Sequence, residues 1–355
     1  MDIRNGLRAT ALSALLAGVL GACNDSSDPA SPTLLAANAG VPAPYTLVDL
    51  AVPGEFNGFG ADINDGGTVL GTSSMNGPWL RLISGARVDI GHFTGGVNGN
   101  GNALNNLEQA TGFSYNADSH AHAFFWSQSG GMIDLGTLAN NRGASEGNGI
   151  NNLGQVVGSS SVGAFPSTAS HAFLWSDSTG MADLGTLGGS FSSARDINDQ
   201  GEVVGESDLA ATGPHAFYWS QATGMVDIGT LGGQRSFANG INNKGQVVGE
   251  SEAASGVNHA FLWTQAGGMV DLGTMDSSST AAEDINERGQ IVGTSFNGTF
   301  RAFLLKTNGT YLDLGDLGGG LSRGLAINKC GLISGSSQLP SGGTGDHAVL
   351  WMKPC

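Results

Sequence analysis

Histidine and aspartate recur at fixed places in this chain, and their pairing is the first feature that could do chemistry. His122, His171, His215, His259 and His347 each open a His-Ala-apolar tripeptide, and Asp134, Asp183, Asp227 and Asp271 follow the first four by twelve residues. A positioned His with a carboxylate is the usual machinery of general acid–base catalysis. A set of histidines could equally ligate a metal. Neither reading survives geometry. Ligands must converge within about 2 Å of one ion, whereas equivalent positions in separate repeats lie on a wide circle. With a four-residue turn after the His strand, His215 pairs near Thr230, and Asp227 falls opposite Tyr218 on the other face of the sheet. The two are expected not to touch. The histidines are read as structural, the aspartates as turn residues or partners of a neighbouring unit, and no catalytic residue, metal or cofactor is assigned.

Other chemistry is equally thin. Asp196-Ile197-Asn198-Asp199-Gln200-Gly201 begins like a calcium loop. Its fifth position is Gln200 and the distal Glu is missing, so calcium is not expected. No Ser-His-Asp order and no Gly-x-Ser-x-Gly stands out. The six tryptophans, Trp79, Trp126, Trp175, Trp219, Trp263 and Trp351, fall in one type of strand. Alternation puts them with Phe on a packed face, as core rather than as ligand platforms.

The elements that carry these residues come from one recurring phrase. Ile150-Asn151-Asn152-Leu153-Gly154-Gln155-Val156-Val157-Gly158 returns as Ile241-Asn242-Asn243-Lys244-Gly245-Gln246-Val247-Val248-Gly249, and its Asn falls at 64, 105, 151, 198, 242, 286 and 328. Separations of 41 to 47 residues lie in the range of propellers and solenoids. Each copy supplies four short segments rich in β-branched and aromatic residues: a, ending in Ile-Asn; b, Val-Val-Gly; c, His-Ala-Phe; and d, Val-Asp-Leu-Gly. Asn-x-x-Gly between a and b suits a tight hairpin, in which Asn bonds the backbone and Gly supplies a positive φ. A four-stranded sheet of this size must stack on neighbours. The body begins with an unaccompanied d strand, Tyr45 to Leu50, and ends with a c strand, His347 to Trp351, that lacks its d. The expected fold is therefore all-β: a seven-bladed β-propeller of four-stranded antiparallel blades, its ring closed by the N-terminal strand joining the last blade.

The tripeptide His-Ala-Phe at 122, 171, 215 and 259, with Leu-Trp and then Asp-Leu-Gly-Thr-Leu-Gly-Gly, resembles the HAF family of extracellular bacterial repeats over residues 45 to 351. Arg301-Ala302-Phe303 and His347-Ala348-Val349 depart by one residue, and Gly77-Pro78-Trp79 departs throughout. The resemblance implies export and repetition, and no activity.

Export is also written in the N-terminus. Arg4 and Arg8 precede an apolar run too short to span a bilayer. The run ends in Leu20-Gly21-Ala22-Cys23, which resembles the lipobox of bacterial lipoproteins. Residues 1–22 are thus expected to be a signal peptide, Cys23 to be acylated, 23–44 to be a flexible tether, 45–352 the propeller and 353–355 a tail. Asn24 is not the Asp that retains lipoproteins on the inner membrane in enteric bacteria, which points to the outer membrane. After loss of residues 1–22, 29 acidic residues face 12 basic ones, which excludes nucleic acid and anionic lipid as partners. The remaining cysteines, Cys330 and Cys355, form the candidate disulfide of an oxidising compartment. Strand c ends at the face that carries the a–b turns, which brings Cys355 beside Cys330.

The a–b and c–d turns, short and regular, share one face of the disc, and the long variable b–c and d–a loops share the other. Grafted function belongs on the variable face. Its d–a loops carry Phe56, Phe59, Arg142, Phe191, Arg235, Phe237 and Arg323, candidates to meet an anionic group or stack on a sugar. The expectation is a monomeric binding or scaffolding module for an extracellular or periplasmic protein or glycan. A carbohydrate-active propeller enzyme and an envelope-assembly component are the alternatives.

Overall fold

The computed structural model describes residues 40–51, 58–73, 77–163, 169–210, 213–276, 279–340 and 345–354. Their regular structure is all β. Strand β1 (Thr46–Asp49) comes first; β2 (Phe59–Ile63), β3 (Val69–Ser73), β4 (Gly77–Arg81) and β5 (Arg87–Asp89) form the next sheet. Then follow β6 (Gly99–Leu104), β7 (Ala110–Tyr115), β8 (Ala121–Ser127) and β9 (Gly131–Asp134), and after them β10 (Ser145–Ile150), β11 (Val156–Ser161), β12 (Ser170–Ser176) and β13 (Gly180–Asp183). The pattern continues through β14 (Gly188–Ile197), β15 (Val203–Leu209), β16 (Pro214–Ser220) and β17 (Gly224–Asp227), then β18 (Gly232–Ile241), β19 (Val247–Ala253), β20 (Asn258–Thr264) and β21 (Gly268–Gly273). The last strands are β22 (Ser279–Ile285), β23 (Ile291–Phe296), β24 (Phe300–Leu305) and β25 (Tyr311–Asp313), then β26 (Ser322–Ile327), β27 (Ile333–Gln338) and β28 (Asp346–Met352).

Each set of four makes an antiparallel sheet in the order a-b-c-d, and one parallel bridge, Ser170 to Phe191, ties β12 to β14. The final set has three strands of its own and takes β1 as its fourth, with Leu47 opposite Trp351 and Asp49 opposite Val349.

Sheet faces are apolar on both sides because each is covered by a neighbour. Between successive sheets, Val204, Ala216 and Tyr218 of one pack against Ile241, Val247, Phe261 and Trp263 of the next. The first and last sheets meet in the same way: Val48, Leu50, Ala348 and Leu350 enclose Ile63, Val69 and Trp79. Tyr45 and Leu47 pack the other face of the last sheet against Val292, Ala302, Leu304 and Leu314. Tryptophans Trp79 and Trp351 are almost wholly buried, at 1% and 0% exposure, which fits their reading as core.

The repeated Asn does more than shape a hairpin. Its Oδ1 accepts the amides two and four residues on, as Asn242 does from Lys244 and Gln246 at 3.0 and 3.1 Å. Its Nδ2 donates to the carbonyl of the next unit's Asn: Asn64 to Asn105, Asn105 to Asn151, Asn151 to Asn198 and Asn198 to Asn242, at 2.9 to 3.2 Å. Asn242 donates to Asn286, Asn286 to Asn328, and Asn328 back to Asn64, at 3.0 to 3.1 Å. Asp could serve the hairpin but cannot donate to a carbonyl. Asn242→Asp is therefore expected to lose a buried hydrogen bond and set a carboxylate against the Asn286 carbonyl. The cost is about 1 to 3 kcal/mol, read as a lower urea midpoint; an unchanged midpoint would deny the inter-unit bond any role.

Candidate functional site: the axial channel and its open mouth

The a strands line the axis, and each carries a β-bulge. Register slips between Gly60 and Asp62, Gly101 and Ala103, Gly147 and Gly149, Ala194 and Asp196, Ala238 and Gly240, Ala282 and Asp284, and Gly324 and Ala326. The bulged residue lies three before the repeated Asn, and a bulge re-aims the side chain it carries. The Gly of Val-Val-Gly makes room for it. A Cβ on Gly205 would lie 2.0 Å from the Ser193 carbonyl oxygen, and one on Gly249 would lie 1.9 Å from that of Phe237. Without that glycine the a strand could not close over strand b.

The bulged side chains, Ala61, Asn102, Asn148, Arg195, Asn239, Glu283 and Leu325, surround a cavity of about 520 Å³ that also takes in Phe59, Glu146, Ser159 and Ser193. The amides are held from behind: Asn102 Nδ2 donates to Glu146 Oε1 at 2.8 Å and to the Gly147 carbonyl at 3.0 Å, and Asn239 Nδ2 to the Ala282 carbonyl at 2.9 Å. Arg195 makes a two-pronged pair with Glu206, 2.7 and 3.0 Å. Burial works against the Arg195 charge, yet Glu206, Glu283 and Glu250 outweigh it and push its pKa up. Glu283 accepts no hydrogen bond from any described residue. Burial, the Glu250 carboxylate and Asp284 push it up to about 7 against the pull of Arg195.

One residue deeper, Asp62, Asp196 and Asp284 stand where the other copies have Ala or Gly. Each Asp accepts the amide of the residue after it and an amide of another unit, Leu104, Ile241 and Ile327 respectively, at 2.7 to 2.8 Å. All three are half-buried, and Asp284 borders the cavity on the a–b turn face. Burial lifts Asp62 to about 7, Asp196 to about 8 and Asp284 to about 6, although the amide bonds oppose it. Among the described residues, no group of His, Cys, Asp and Glu is arranged to hold a metal ion.

Beyond the Asn chain, a cavity of about 200 Å³ opens on the a–b turn face. Side chains there are tied to the backbone of the preceding unit. The Asp65 amide donates to Asn106, Asn106 to Asn152, Asn152 to Asp199 and Asp199 to Asn243, at 2.8 to 2.9 Å.

The His and Asp of the repeat do touch, which corrects the sequence reading. Nδ1 of His122, His171, His215 and His259 lies 2.9 to 3.0 Å from Asp134, Asp183, Asp227 and Asp271, and His347 lies 2.8 Å from Asp49. Between c and d the turn has three residues, not four: Ser220 pairs Gly224, whose φ is 66°, and Phe217 therefore faces Asp227. One residue of slip moves a whole strand's side chains to the other face. His215 and Asp227 become diagonal neighbours on one face. The Asp also accepts the Gly amide two residues on, as Asp227 does from Gly229 at 2.8 Å, so its turn role stands. In the sixth copy, Arg301 takes the place of His and bonds Asp313. Recurring around the disc, partly solvated and away from the cavity, these pairs clip strand c to strand d. Asp134 registers the clip: burial pushes its pKa up, but the His122 bond and the Gly136 amide outweigh burial and bring it below the ordinary carboxylate range.

Of the loop candidates, Phe59 and Arg323 come together at the mouth, lining a second cavity of about 320 Å³ with Leu325 and Asp346. Arg323 is already engaged: it bonds Asp346 at 2.9 Å and lies 4.1 Å over the Phe300 ring. Phe237 is half-buried opposite Glu250, Phe191 half-buried at the bridge to β12, and Arg142 and Arg235 are exposed and apart from the cavity. Phe56, Cys23 and Cys355 lie outside the described residues. Cys330 is disulfide-bonded. Sequence reasoning missed the bulged positions, Asn102, Asn148, Arg195, Asn239 and Glu283, and the three buried aspartates. Their signal was present: in an otherwise monotonous strand, the residue three before Asn differs among most copies.

No family model matches the sequence, and no curated protein matches it. Solved structures of similar fold do exist. The β-propeller domain of the Trilobed protease from Pyrococcus furiosus, described as having an open velcro topology, aligns with a TM-score of 0.57 at 9% identity over 85% of this chain and 94% of that one. Puromycin hydrolase aligns with a TM-score of 0.52 at 12% identity over 92% of this chain and 54% of that one. The acylaminoacyl peptidase of Pyrococcus horikoshii gives 0.51 at 8% identity over 83% and 51%. This chain spans about half the length of the latter two. At such identity the likeness speaks for architecture alone, and the architecture is that of a β-propeller.

Proposed function

We propose that the chain is an exported, lipid-anchored binding propeller of the HAF-repeat kind, with seven blades in a closed ring, that engages a protein or glycan outside the inner membrane through its variable face. One observation carries the reading: the two ends of the channel are built differently. At the a–b turn face, the backbone amide of one described unit donates to a side chain of another in a nearly continuous chain. At the other end, the positions freed by the bulges carry different side chains around an open cavity. Residues that vary where the fold has no use for them are where selection on a ligand acts.

The ring is supported by the β1–β28 pairing and by the Asn328 bond to Asn64. Tyr45 donates to the Gly331 carbonyl at 3.3 Å, and Lys353 lies over its ring at 5.7 Å, so both residues sit beside the a–b turn that holds Cys330. That placement favours Cys355 as the disulfide partner, and it lets a lipid on Cys23 hold the regular face toward the membrane, with the outer membrane as the expected site. A glycan array and a pull-down from envelope extracts, both with the full chain, test the function. Capture of a glycan or a defined envelope protein is expected, and an empty result in both would sink it. A second reading, a carbohydrate-active enzyme, draws on Glu283 alone: a carboxyl lifted to about 7 could serve as a general acid. Hydrolysis products on incubation with polysaccharide would favour it.

A further inference from the structure

The charges at the mouth do not balance, and the imbalance has a direction. Among the described residues lining the cavity, Arg195 is the one cation, and Glu206 already holds it by two hydrogen bonds. Arg323, just outside, is held by Asp346 and by the Phe300 ring. An incoming anion therefore finds no unengaged cation lining the cavity. Two carboxylates remain on the wall. Glu146 receives one amide, from Asn102, and Glu283 receives no hydrogen bond at all among the described residues. On the two strands that follow Glu283 around the axis, Leu325 of β26 and Phe59 and Ala61 of β2 form an apolar strip. At about 520 Å³ the space falls within the range of small-ligand pockets.

An apolar strip running up to an unpaired carboxyl matches one kind of group well. Lysine and arginine carry a charged head on an aliphatic stem, bury the stem along apolar surface and place the head on a counter-charge. We propose that the mouth is a receptor for a single cationic side chain, a lysine or arginine presented on a loop or terminus of a protein partner, with Glu283 as its counter-charge. The proposal rests on the binding reading of this face and names the partner's chemistry. The stem lies along Phe59 and Leu325, the head reaches Glu283, and Asn148 and Asn239 border its path. Arg195 stays on Glu206 and does not compete. The groups facing Glu283 are Glu250 from β19, Arg195 from β14, Asp284 of its own strand and, across the cavity, Glu146. With Glu283 lifted to about 7, a cation that requires its charge binds about tenfold more weakly at pH 6 than at pH 8.

The test titrates the full chain, in low salt at pH 8, with acetyl-Gly-Lys-Gly-Gly-amide and its arginine counterpart, and with the Nε-acetyl-lysine and citrulline versions as neutral controls. The basic peptides are expected to bind at least tenfold more tightly than the neutral ones. Glu283→Gln should abolish that preference, and with it the tenfold response to pH, whereas Lys306→Gln, in the exposed c–d turn of the other face, should preserve both. Gln keeps the shape of Glu and removes a charge that burial disfavours, so the variant is expected to fold; a thermal melt verifies it, and Glu283→Leu is the second variant. Equal binding of neutral and basic peptides would overturn the proposal, as would a preference that survives in both variants. If no peptide binds while the glycan array or pull-down succeeds, the cation receptor is wrong and the binding face stands. If those fail too, both fall.

Discussion

Deleting residues 45–51 is expected to cost the protein about 6 kcal/mol or more, a large part of the stability of a folded domain. The segment buries Tyr45, Leu47, Val48 and Leu50, each less than a tenth exposed. Fully burying such side chains contributes about 1.5 to 3 kcal/mol apiece. Whole domains have only about 5 to 15 kcal/mol to lose. The deletion also strips β28 of a hydrogen-bonded partner, leaving an edge that invites association between copies. Urea unfolding and sedimentation of the truncated chain are the measurements. A midpoint and a compact monomeric profile equal to those of the parent would show that the strand is an accessory. Thr46→Ala, at the one exposed position of β1, is the matched control and should change little.

A second large effect is set by pH. Asp62, Asp196 and Asp284 hold their protons at about 7, 8 and 6 in the folded chain, whereas an unfolded Asp titrates near 3.9. The folded state thus binds more protons than the unfolded one across this range, and stability falls as pH rises. The contribution is complete below about pH 4 and is lost as pH climbs through about 6, 7 and 8. Each carboxyl is only half-buried, which leaves its charge partly screened, so the loss between pH 5 and pH 8 is on the order of 3 to 6 kcal/mol rather than the full linkage value. Thermal midpoints across that interval read it. Ala or Gly stands at the same place in the other copies, so the triple replacement Asp62→Ala, Asp196→Ala and Asp284→Ala should be accepted by the backbone and should flatten the profile. A midpoint that rises from pH 5 to pH 8, or a profile unchanged in the triple variant, would contradict the assignment.

The strands could be read because the chain states the same sentence repeatedly. Turn residues, alternation and the orphan strands at the two ends sufficed to place β1 beside β28. The His–Asp pair was misplaced by a single residue, because turn length between Ser220 and Gly224 decides which face Asp227 takes, and both lengths suit Ser-Gln-Ala-Thr-Gly. The Asn was understood by half: its carbonyl makes the turn, and only a neighbouring unit reveals why the amide is required. That Asn, and never Asp or Ser, holds the place in every copy was the clue. The mouth was the least legible part. Loop arginines drew attention by being charged, yet Arg323 is occupied by a partner far along the chain, Asp346. The residues that do face the cavity point there because of a bulge, and nothing in a strand's period-2 pattern announces one. Only the glycine of Val-Val-Gly, required by a carbonyl 1.9 to 2.0 Å from where its Cβ would stand in most units, registers it.

The bulge has a bearing on how such a chain can change. A residue that has slipped out of the ladder owes nothing to its neighbours' strand pairing, so Ala61, Glu283 or Leu325 can be exchanged for one another's types while the ladder stays as it is; Arg195, tied to Glu206, can change only together with its partner. Each copy of the repeat thus offers one letter that is free to mutate among many that are not. The letters are collected from distant parts of the gene into a single small space. Duplicated units can drift apart there with little cost to the ladder, and a new ligand specificity lies a few substitutions away from an old one.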